Sequence, residues 1–67
     1  MERSRYLLAY DVRHARRLRR VHTVAKAYGD SLQYSVFVCD LTRAELVGLK
    51  TKLLEEMNPS EDSVGIF

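Results

Sequence analysis

The chain has 67 residues, 46% of them hydrophobic, with a single cysteine and a formal net charge of +2. That length holds one domain (1–67), the hydrophobic content argues against intrinsic disorder, and one cysteine excludes both an intrachain disulfide and a cysteine-based zinc site. No run of 18 apolar residues is present and Met1 leads into charged residues, so we expect a cytoplasmic protein without a membrane span.

The first half of the chain predicts a strand followed by a basic helix. Residues 5–12 are rich in aromatic and aliphatic side chains, which is typical of a buried strand. Residues 14–28 have apolar side chains at helical spacing, and Gly29 is a suitable stop because glycine adopts a positive φ without a Cβ clash. The apolar stripe of this helix consists of Leu18, Val21, Ala25 and Tyr28.

The second half predicts a strand, a second helix and a last strand. Residues 32–39 have the β-branched and aromatic content of a strand. Thr42 and Glu45 are spaced as a capping box that begins a helix, Pro59 prevents its continuation, and residues 63–67 form the final strand. The apolar stripe of the second helix consists of Leu46, Leu49, Leu53 and Met57, widened by Leu54.

This order of elements predicts an α+β sandwich of the ferredoxin-like βαββαβ kind. That fold needs four strands, whereas three are evident in the sequence. Either residues 31–41 supply two short strands with a kink, or a partner chain supplies the missing edge. Because a chain this short buries little apolar surface alone, we expect a homodimer in which a second copy completes part of the core.

Asp11 ends the first predicted strand and directly precedes the basic helix. Residues 13–26 contain six arginines and lysines and no acid, and residues 1–39 carry a net charge of +5, against −3 for residues 40–67. A strand-end carboxylate can ligate a divalent cation and neighbouring guanidinium groups bind phosphate, so the sequence predicts a site for metal and nucleic acid. Two alternatives stay open: Asp11 caps the helix that follows, and the arginines form only a solvated surface.

The arginines of the helix are the predicted phosphate ligands. Leu18 and Val21 mark its buried side, so the arginines around it cannot all face one ligand. We expect Arg16, Arg17 and Arg20 to contact phosphate, because a guanidinium group binds phosphate through two parallel hydrogen bonds. At least one of the three is expected to be a solvated surface residue instead.

Four motifs occur in a fixed order between residues 5 and 67. They are Tyr6 to Val12, the arginine-rich helix ending in Tyr28-Gly29, the run Gln33-Tyr34-Ser35-Val36-Phe37, and Asp62-Ser63-Val64. Each motif alone occurs often by chance, but their order and spacing are jointly specific. Together they resemble the small adaptation protein of CRISPR systems, the second core adaptation protein and partner of the CRISPR integrase.

The resemblance implies a ferredoxin-like homodimer in which Asp11 of both subunits brackets a magnesium ion, or manganese in its place, at the interface. It further implies a metal-dependent endonuclease acting on single-stranded RNA or double-stranded DNA, which supports spacer acquisition in antiviral defence and bridges integrase dimers. Asp11 is then the catalytic and metal-binding residue. Two alternatives are a non-catalytic architectural DNA-binding subunit of the integrase complex and a toxin-type ribonuclease unrelated to CRISPR.

Two features depart from the family pattern. Many relatives carry a basic residue shortly before the Gln-Tyr-Ser-Val-Phe run and another after Asp-Ser-Val, where this chain has Ser31 and Gly65. The sequence stops at Phe67, whereas relatives continue into a strand that pairs with the partner subunit. We expect either a fold without that C-terminal strand, with Ile66 and Phe67 at an exposed edge, or a native protein that is longer.

Several other residues are interpreted as structural. His14 and His22 lie among arginines that disfavour imidazolium, but neither has a partner in the sequence that indicates acid–base catalysis. Tyr10 is expected to pack within its strand rather than to act in catalysis. Phe37 is also expected to pack, although as an aromatic ring exposed on a strand face it could stack on a base. Cys39 is expected to be a small core residue, and Tyr34 and Ser63 are expected to serve packing and hydrogen bonding near the dimer interface.

Overall fold

Six secondary-structure elements follow one another in the predicted order in the computed structural model, which describes residues 2–67. The strands are β1 (Ser4–Asp11), β2 (Asp30–Gln33), β3 (Val36–Leu41) and β4 (Ser63–Ile66), and the helices are α1 (Ala15–Tyr28) and α2 (Arg43–Glu56). They form one antiparallel sheet in the order β2-β3-β1-β4, with both helices on the same face. The ferredoxin-like α+β prediction is confirmed. No helix in residues 2–67 is long and apolar enough to cross a membrane.

The predicted strand over residues 32–39 is wrong in its bounds, because it is interrupted by a turn at Tyr34 and Ser35. β2 and β3 pair on either side of this turn, with a register shift between Ser31 and Gln33. The fourth strand therefore comes from this chain, as one of the two alternatives for residues 31–41 expected. Every residue of β2 is exposed, so the strand has no alternating pattern in the sequence.

The alternation of β1 assigns its side chains to two faces. Leu8 and Tyr10 are buried against the helices, whereas Leu7 and Asp11 are exposed on the opposite, open face of the sheet, with Ala9 between them. The core fills the space between sheet and helices. Its members are Leu8, Tyr10, Val12, Val21, Ala25, Phe37, Cys39, Leu41, Leu49 and Leu53.

Three predictions about side-chain burial need correction or refinement. Leu54 does not widen the buried stripe of α2: it is 65% exposed, because it lies to one side of the stripe and lines an open groove that also contains Tyr6. Phe37 is fully buried, so it cannot stack on a base. At the β4 edge Phe67 is exposed as expected, whereas Ile66 faces the helices and is half-buried.

Gly29 ends α1 for a reason that differs from the one predicted. Its φ of −162° is extended backbone, not the positive φ of a glycine stop. A Cβ at this position would lie 2.4 Å from the Val38 carbonyl oxygen and 2.6 Å from Cys39 Sγ. Glycine is therefore required by close packing against β3.

The two helices begin with different caps. Thr42 and Glu45 form the predicted capping box, in which the Thr42 hydroxyl accepts from Glu45 N–H and the Glu45 carboxylate accepts from Thr42 N–H. α1 is capped by His14, whose Nδ1 accepts from Arg16 N–H at 3.2 Å. The interpretation of Asp11 as the cap of α1 is therefore wrong.

Candidate functional site

Asp11 lies at the C-terminal end of β1 on the open face of the sheet. It pairs with Ser63 of β4, and its side chain is 68% exposed. The nearest cation is Arg13, whose Nε lies 3.7 Å from Asp11 Oδ2, a long and solvated contact. Because Asp11 neither caps α1 nor forms a short ion pair, its carboxylate oxygens are accessible to an external ligand.

Asp11 supplies one oxygen ligand of the kind that a hard divalent cation prefers, but not a complete set of ligands. Carboxylate oxygen is the ligand that magnesium prefers, and magnesium commonly retains several waters. Within residues 2–67, no group of three or more histidines, cysteines, aspartates and glutamates is arranged to hold a metal ion. A cation at Asp11 would therefore need oxygen ligands from outside this part of the chain.

Arg17 makes two ion pairs with the loop that precedes β4. Its Nε lies 2.9 Å from Asp62 Oδ2 and its Nη2 lies 3.2 Å from Asp62 Oδ1, while the same Nη2 is 3.0 Å from Glu61 Oε1. The Arg17 side chain is only 22% exposed. Phosphate binding by Arg17 would have to displace a bidentate carboxylate, so among the three predicted phosphate ligands it is the one held in a short ion pair.

Asp62 is an anchor that the sequence did not reveal. Its fully buried carboxylate accepts from Arg17 and from two backbone N–H groups, those of Arg13 at 2.9 Å and Asn58 at 2.8 Å. The hydrogen bond from Arg17 holds the pKa of this carboxyl well below its usual range, against the opposing effect of burial. Asp62 thereby joins the residues that precede α1 to the loop before β4. Its place in the Asp62-Ser63-Val64 motif is the only sequence feature that singled it out.

Arg16 and Arg20 are the predicted phosphate ligands that remain accessible. Arg16 is exposed, and its side chain takes part in no ion pair among residues 2–67. Arg20 is exposed and lies 4.0 Å from Glu56 across the two helices, at the limit of an ion pair. Arg13 adds a third exposed guanidinium group beside Asp11. The structure therefore places Arg13 next to Asp11, while Arg16 and Arg20 are exposed on α1.

His22 has a partner that its sequence neighbours do not indicate. Its Nδ1 lies 3.1 Å from the Tyr10 hydroxyl, and its ring stacks on that of Tyr34 with centroids 4.9 Å apart and an interplanar angle of 18°. The Tyr10 hydroxyl also donates to the Tyr34 carbonyl oxygen at 3.2 Å. Burial, and secondarily the neighbouring Tyr34 phenol, raises the pKa of Tyr10 to about 12, so Tyr10 stays protonated at neutral pH.

Comparison with known proteins places the chain in a family. Residues 4–67 match the family model described as CRISPR associated protein Cas2. A CRISPR-associated endoribonuclease Cas2 of Thermodesulfovibrio yellowstonii is 42% identical over 62 residues, which are 92% of this chain and 67% of the relative. The CRISPR-associated endoribonuclease Cas2 of Chlorobaculum tepidum is 41% identical over 66 residues, 91% of this chain and 69% of the relative.

Solved structures agree with this assignment. The crystal structure of Streptococcus pyogenes Cas2 at pH 6.5 is similar with a TM-score of 0.89 and 33% identity, and the match covers 96% of this chain and 83% of that one. A hypothetical protein of Thermus thermophilus has a TM-score of 0.94 at 28% identity, with coverage of 97% and 79%. The predicted resemblance is confirmed, and the chain belongs to the Cas2 family of CRISPR-associated proteins.

Proposed function

We propose that this protein is a homodimeric, magnesium-dependent endonuclease that cleaves RNA or duplex DNA and supports spacer acquisition in CRISPR antiviral defence, together with the CRISPR integrase. The observation that carries the proposal is the exposed Asp11 carboxylate at the end of β1, on the open face of the sheet and beside Arg13. Relatives named endoribonucleases add support for cleavage of RNA.

The open face of the sheet supports the dimer. It presents apolar side chains of β1 and β3 with no helix over them: Leu7 is 39% exposed, and Ala9, Val36 and Val38 are half-buried. An apolar sheet face of this kind is stabilised when a second copy covers it, and a two-fold axis makes the same residues meet in both copies. A two-fold axis close to the Asp11 end of β1 would bring the two carboxylates together.

Paired carboxylates give the proposed chemistry. Two Asp11 carboxylates repel each other unless a cation or a shared proton lies between them, so their pairing favours binding of a divalent ion. Magnesium, or manganese in its place, supplies polarisation of a phosphoryl oxygen and a bound water of lowered pKa. The residues of this chain hold the cation through Asp11 and orient the scissile phosphate with the neighbouring guanidinium group of Arg13.

The exposed arginines of α1 are assigned to the rest of the nucleic-acid backbone. Arg16 and Arg20 have guanidinium groups available for phosphate, while Arg17 holds Asp62. Binding of phosphate by these groups releases counterions, so affinity should weaken steeply as the salt concentration rises. The Arg16→Ala, Arg20→Ala double variant should bind more weakly at low salt and show a shallower salt dependence, by about one unit of slope for each phosphate that is no longer neutralised.

The test of the proposal is the cleavage activity of an Asp11→Asn variant. Labelled single-stranded RNA and labelled duplex DNA are incubated with wild type and variant, with magnesium and with a chelator. Wild type should cleave only with magnesium, and Asp11→Asn should lose cleavage while it still folds and dimerises. Asp40→Asn is the matched control, because Asp40 is also an exposed aspartate of the sheet and pairs with Arg5, at the opposite end of β1. Unchanged cleavage by Asp11→Asn would remove Asp11 from the mechanism.

A second function is favoured by the position of the arginines. Arg16 and Arg20 remain exposed whether or not a cation is held at Asp11, so the protein can bind duplex DNA as an architectural subunit of the integrase complex without cleaving it. In that case integration assays with the integrase should be unaffected by Asp11→Asn and impaired by the Arg16→Ala, Arg20→Ala variant. The two functions are thus separated by the same three substitutions.

A further inference from the structure

Tyr34 presents an open aromatic face at the turn between β2 and β3. The residue is 59% exposed although its ring stacks on His22, with centroids 4.9 Å apart. One ring face is therefore covered by the imidazole and the other faces solvent. A role for Tyr34 in packing accounts for the covered face and leaves the open one without a function.

The ring that supports Tyr34 is held in place from two sides. His22 and Phe37 form a T-shaped pair with a centroid distance of 5.4 Å and an interplanar angle of 69°, and His22 Nδ1 hydrogen bonds to the Tyr10 hydroxyl. Tyr10 and Phe37 are themselves buried in the core. An aromatic stack that rests on buried side chains loses little conformational entropy when a further ring is added to it.

The hydrogen bonds of the Tyr10 hydroxyl determine the tautomer of His22. The Tyr10 hydroxyl has one hydrogen, and the carbonyl oxygen of Tyr34 can only accept, so Tyr10 donates to Tyr34. The contact between Tyr10 and His22 is then a hydrogen bond only if His22 carries its hydrogen on Nδ1. With that tautomer, the His22 imidazole and the backbone of the turn both hydrogen bond to the hydroxyl of Tyr10.

The stack lies at the same end of the sheet as Asp11. Tyr10 N–H donates to the carbonyl oxygen of Ser35, the residue after Tyr34, and Asp11 directly follows Tyr10 in β1. On the helix side, Arg19 precedes His22 by three residues and is exposed, so a guanidinium group lies one helical turn from the stack. An open ring and a cation thus lie on the helix side of the sheet, at the end of β1 where Asp11 lies on the opposite, open face.

We infer that the open face of Tyr34 is a stacking site for an unpaired nucleobase of a single-stranded nucleic acid. The site takes any base, because every base has a π-face that can stack on an aromatic ring. It favours a strand with unstacked bases over a continuous duplex, whose bases are already stacked on each other. This inference rests on the proposed function for the identity of the polymer, and it adds a base-contacting residue to the exposed arginines that are assigned to phosphate.

The test compares Tyr34→Ala with Tyr34→Phe in the chain of residues 1–67. Binding of a short labelled oligouridine and of the corresponding oligodeoxyuridine is measured by fluorescence anisotropy without magnesium, so that no cleavage occurs. Tyr34→Ala should raise Kd about 5- to 150-fold, the range found when a base-stacking aromatic is truncated, and Tyr34→Phe should restore binding because it keeps the ring. Leu32→Ala is the matched control, since Leu32 is a similarly exposed apolar residue of the same hairpin.

Two further measurements separate stacking from a structural effect. An abasic oligomer of the same length should bind wild type and Tyr34→Ala equally, because it has no base to stack. An oligomer with one 5-iodouracil should photocrosslink to position 34 in wild type and in the Tyr34→Phe variant, as mapped by mass spectrometry, and should not crosslink there in Tyr34→Ala. Equal Tm values for Tyr34→Ala and Leu32→Ala would show that the fold is retained.

The following outcomes would contradict either the stacking site at Tyr34 or the proposed nuclease function. Equal affinity of wild type and Tyr34→Ala for the base-containing oligomer, with cleavage intact, would remove the stacking site and leave the proposed function standing. A Tyr34→Ala variant whose monomer–dimer equilibrium shifts while its affinity for the oligomer does not would make Tyr34 an interface residue instead. Conversely, ring-dependent binding in a protein that never cleaves would support the stacking site and overturn the nuclease function.

Discussion

At the scale of single residues, the structure separates arginines that the sequence presents as equivalent. Arg16, Arg17 and Arg20 all lie on the polar sides of α1, and the helical period shows only that they avoid the core. What distinguishes Arg17 is a carboxylate 45 residues away in sequence, Asp62, which no local pattern predicts. A basic helix next to a candidate nuclease site therefore contains both a structural ion pair and exposed cations.

The Arg17–Asp62 pair makes stability depend on pH in the acid range. Because the pKa of Asp62 is lower in the folded chain than its ordinary value of 3.8, the unfolded chain binds the proton more readily. The stabilisation is therefore complete above about pH 4 and decreases as the pH falls from there towards the lowered pKa. Asp62→Asn should lower Tm by several degrees at neutral pH and flatten the acid side of the Tm–pH curve, as measured by circular dichroism.

Glu61→Gln is the control for this prediction. Glu61 contacts the same guanidinium group of Arg17, but its side chain is 58% exposed and it binds no backbone N–H group among residues 2–67. An exposed ion pair of this type contributes little, so Tm should change by no more than a degree or so. If both variants gave the same small change, the loop before β4 would not depend on the buried carboxylate.

At the scale of elements, the sequence predicted the strands and helices that have a periodic pattern of apolar residues or clear signals at their ends. β1 alternates between a buried and an open face, α1 carries an apolar stripe, and α2 is bounded by its capping box and Pro59, so their positions were found to within a residue or two. β2 is exposed along its whole length and is held by its pairing with β3, which no period reveals. The same limit applies to the site: the strand-end position and exposure of Asp11 follow from β1, whereas the Tyr10–His22 and Arg17–Asp62 contacts depend on how distant elements pack.

Gly29, at the junction between α1 and β2, has no space for a side chain. A Cβ there would overlap the Val38 carbonyl oxygen and Cys39 Sγ, both of which belong to β3 and are fixed by the sheet and the core. Gly29→Ala should therefore destabilise the protein by about 1–3 kcal/mol, the usual cost of overpacking. Gly48→Ala is the matched control, because its Cβ would meet only the end of the Tyr28 side chain, at 3.1 Å, and alanine favours the interior of α2 by up to ~1 kcal/mol. Urea unfolding of both variants measures the difference, and an equal effect at the two positions would contradict the packing argument.

At the scale of the whole molecule, the two faces of the sheet have opposite environments. One face is covered by α1 and α2, which together with the sheet enclose the core, and the other is an apolar surface with Asp11 at one end. A chain of 67 residues buries a smaller fraction of its surface on folding than a larger domain does, so covering this second face adds stability that one copy alone does not have. The proposed active site and the proposed dimer therefore depend on the same surface, and a variant that prevents dimerisation should also abolish cleavage.

Leu7→Lys tests this dependence. Leu7 is 39% exposed at the middle of the open face, four residues before Asp11, and a lysine there would place an unpaired charge in the apolar surface that the second copy covers. The variant should sediment as a monomer and lose magnesium-dependent cleavage although Asp11 is intact. Leu54→Lys is the control: Leu54 is even more exposed, but it lies on the helix side of the sheet, so this variant should remain dimeric and active. A monomeric Leu7→Lys variant that still cleaved would show that one Asp11 is sufficient, and a dimer broken by Leu54→Lys instead would place the interface on the helix side.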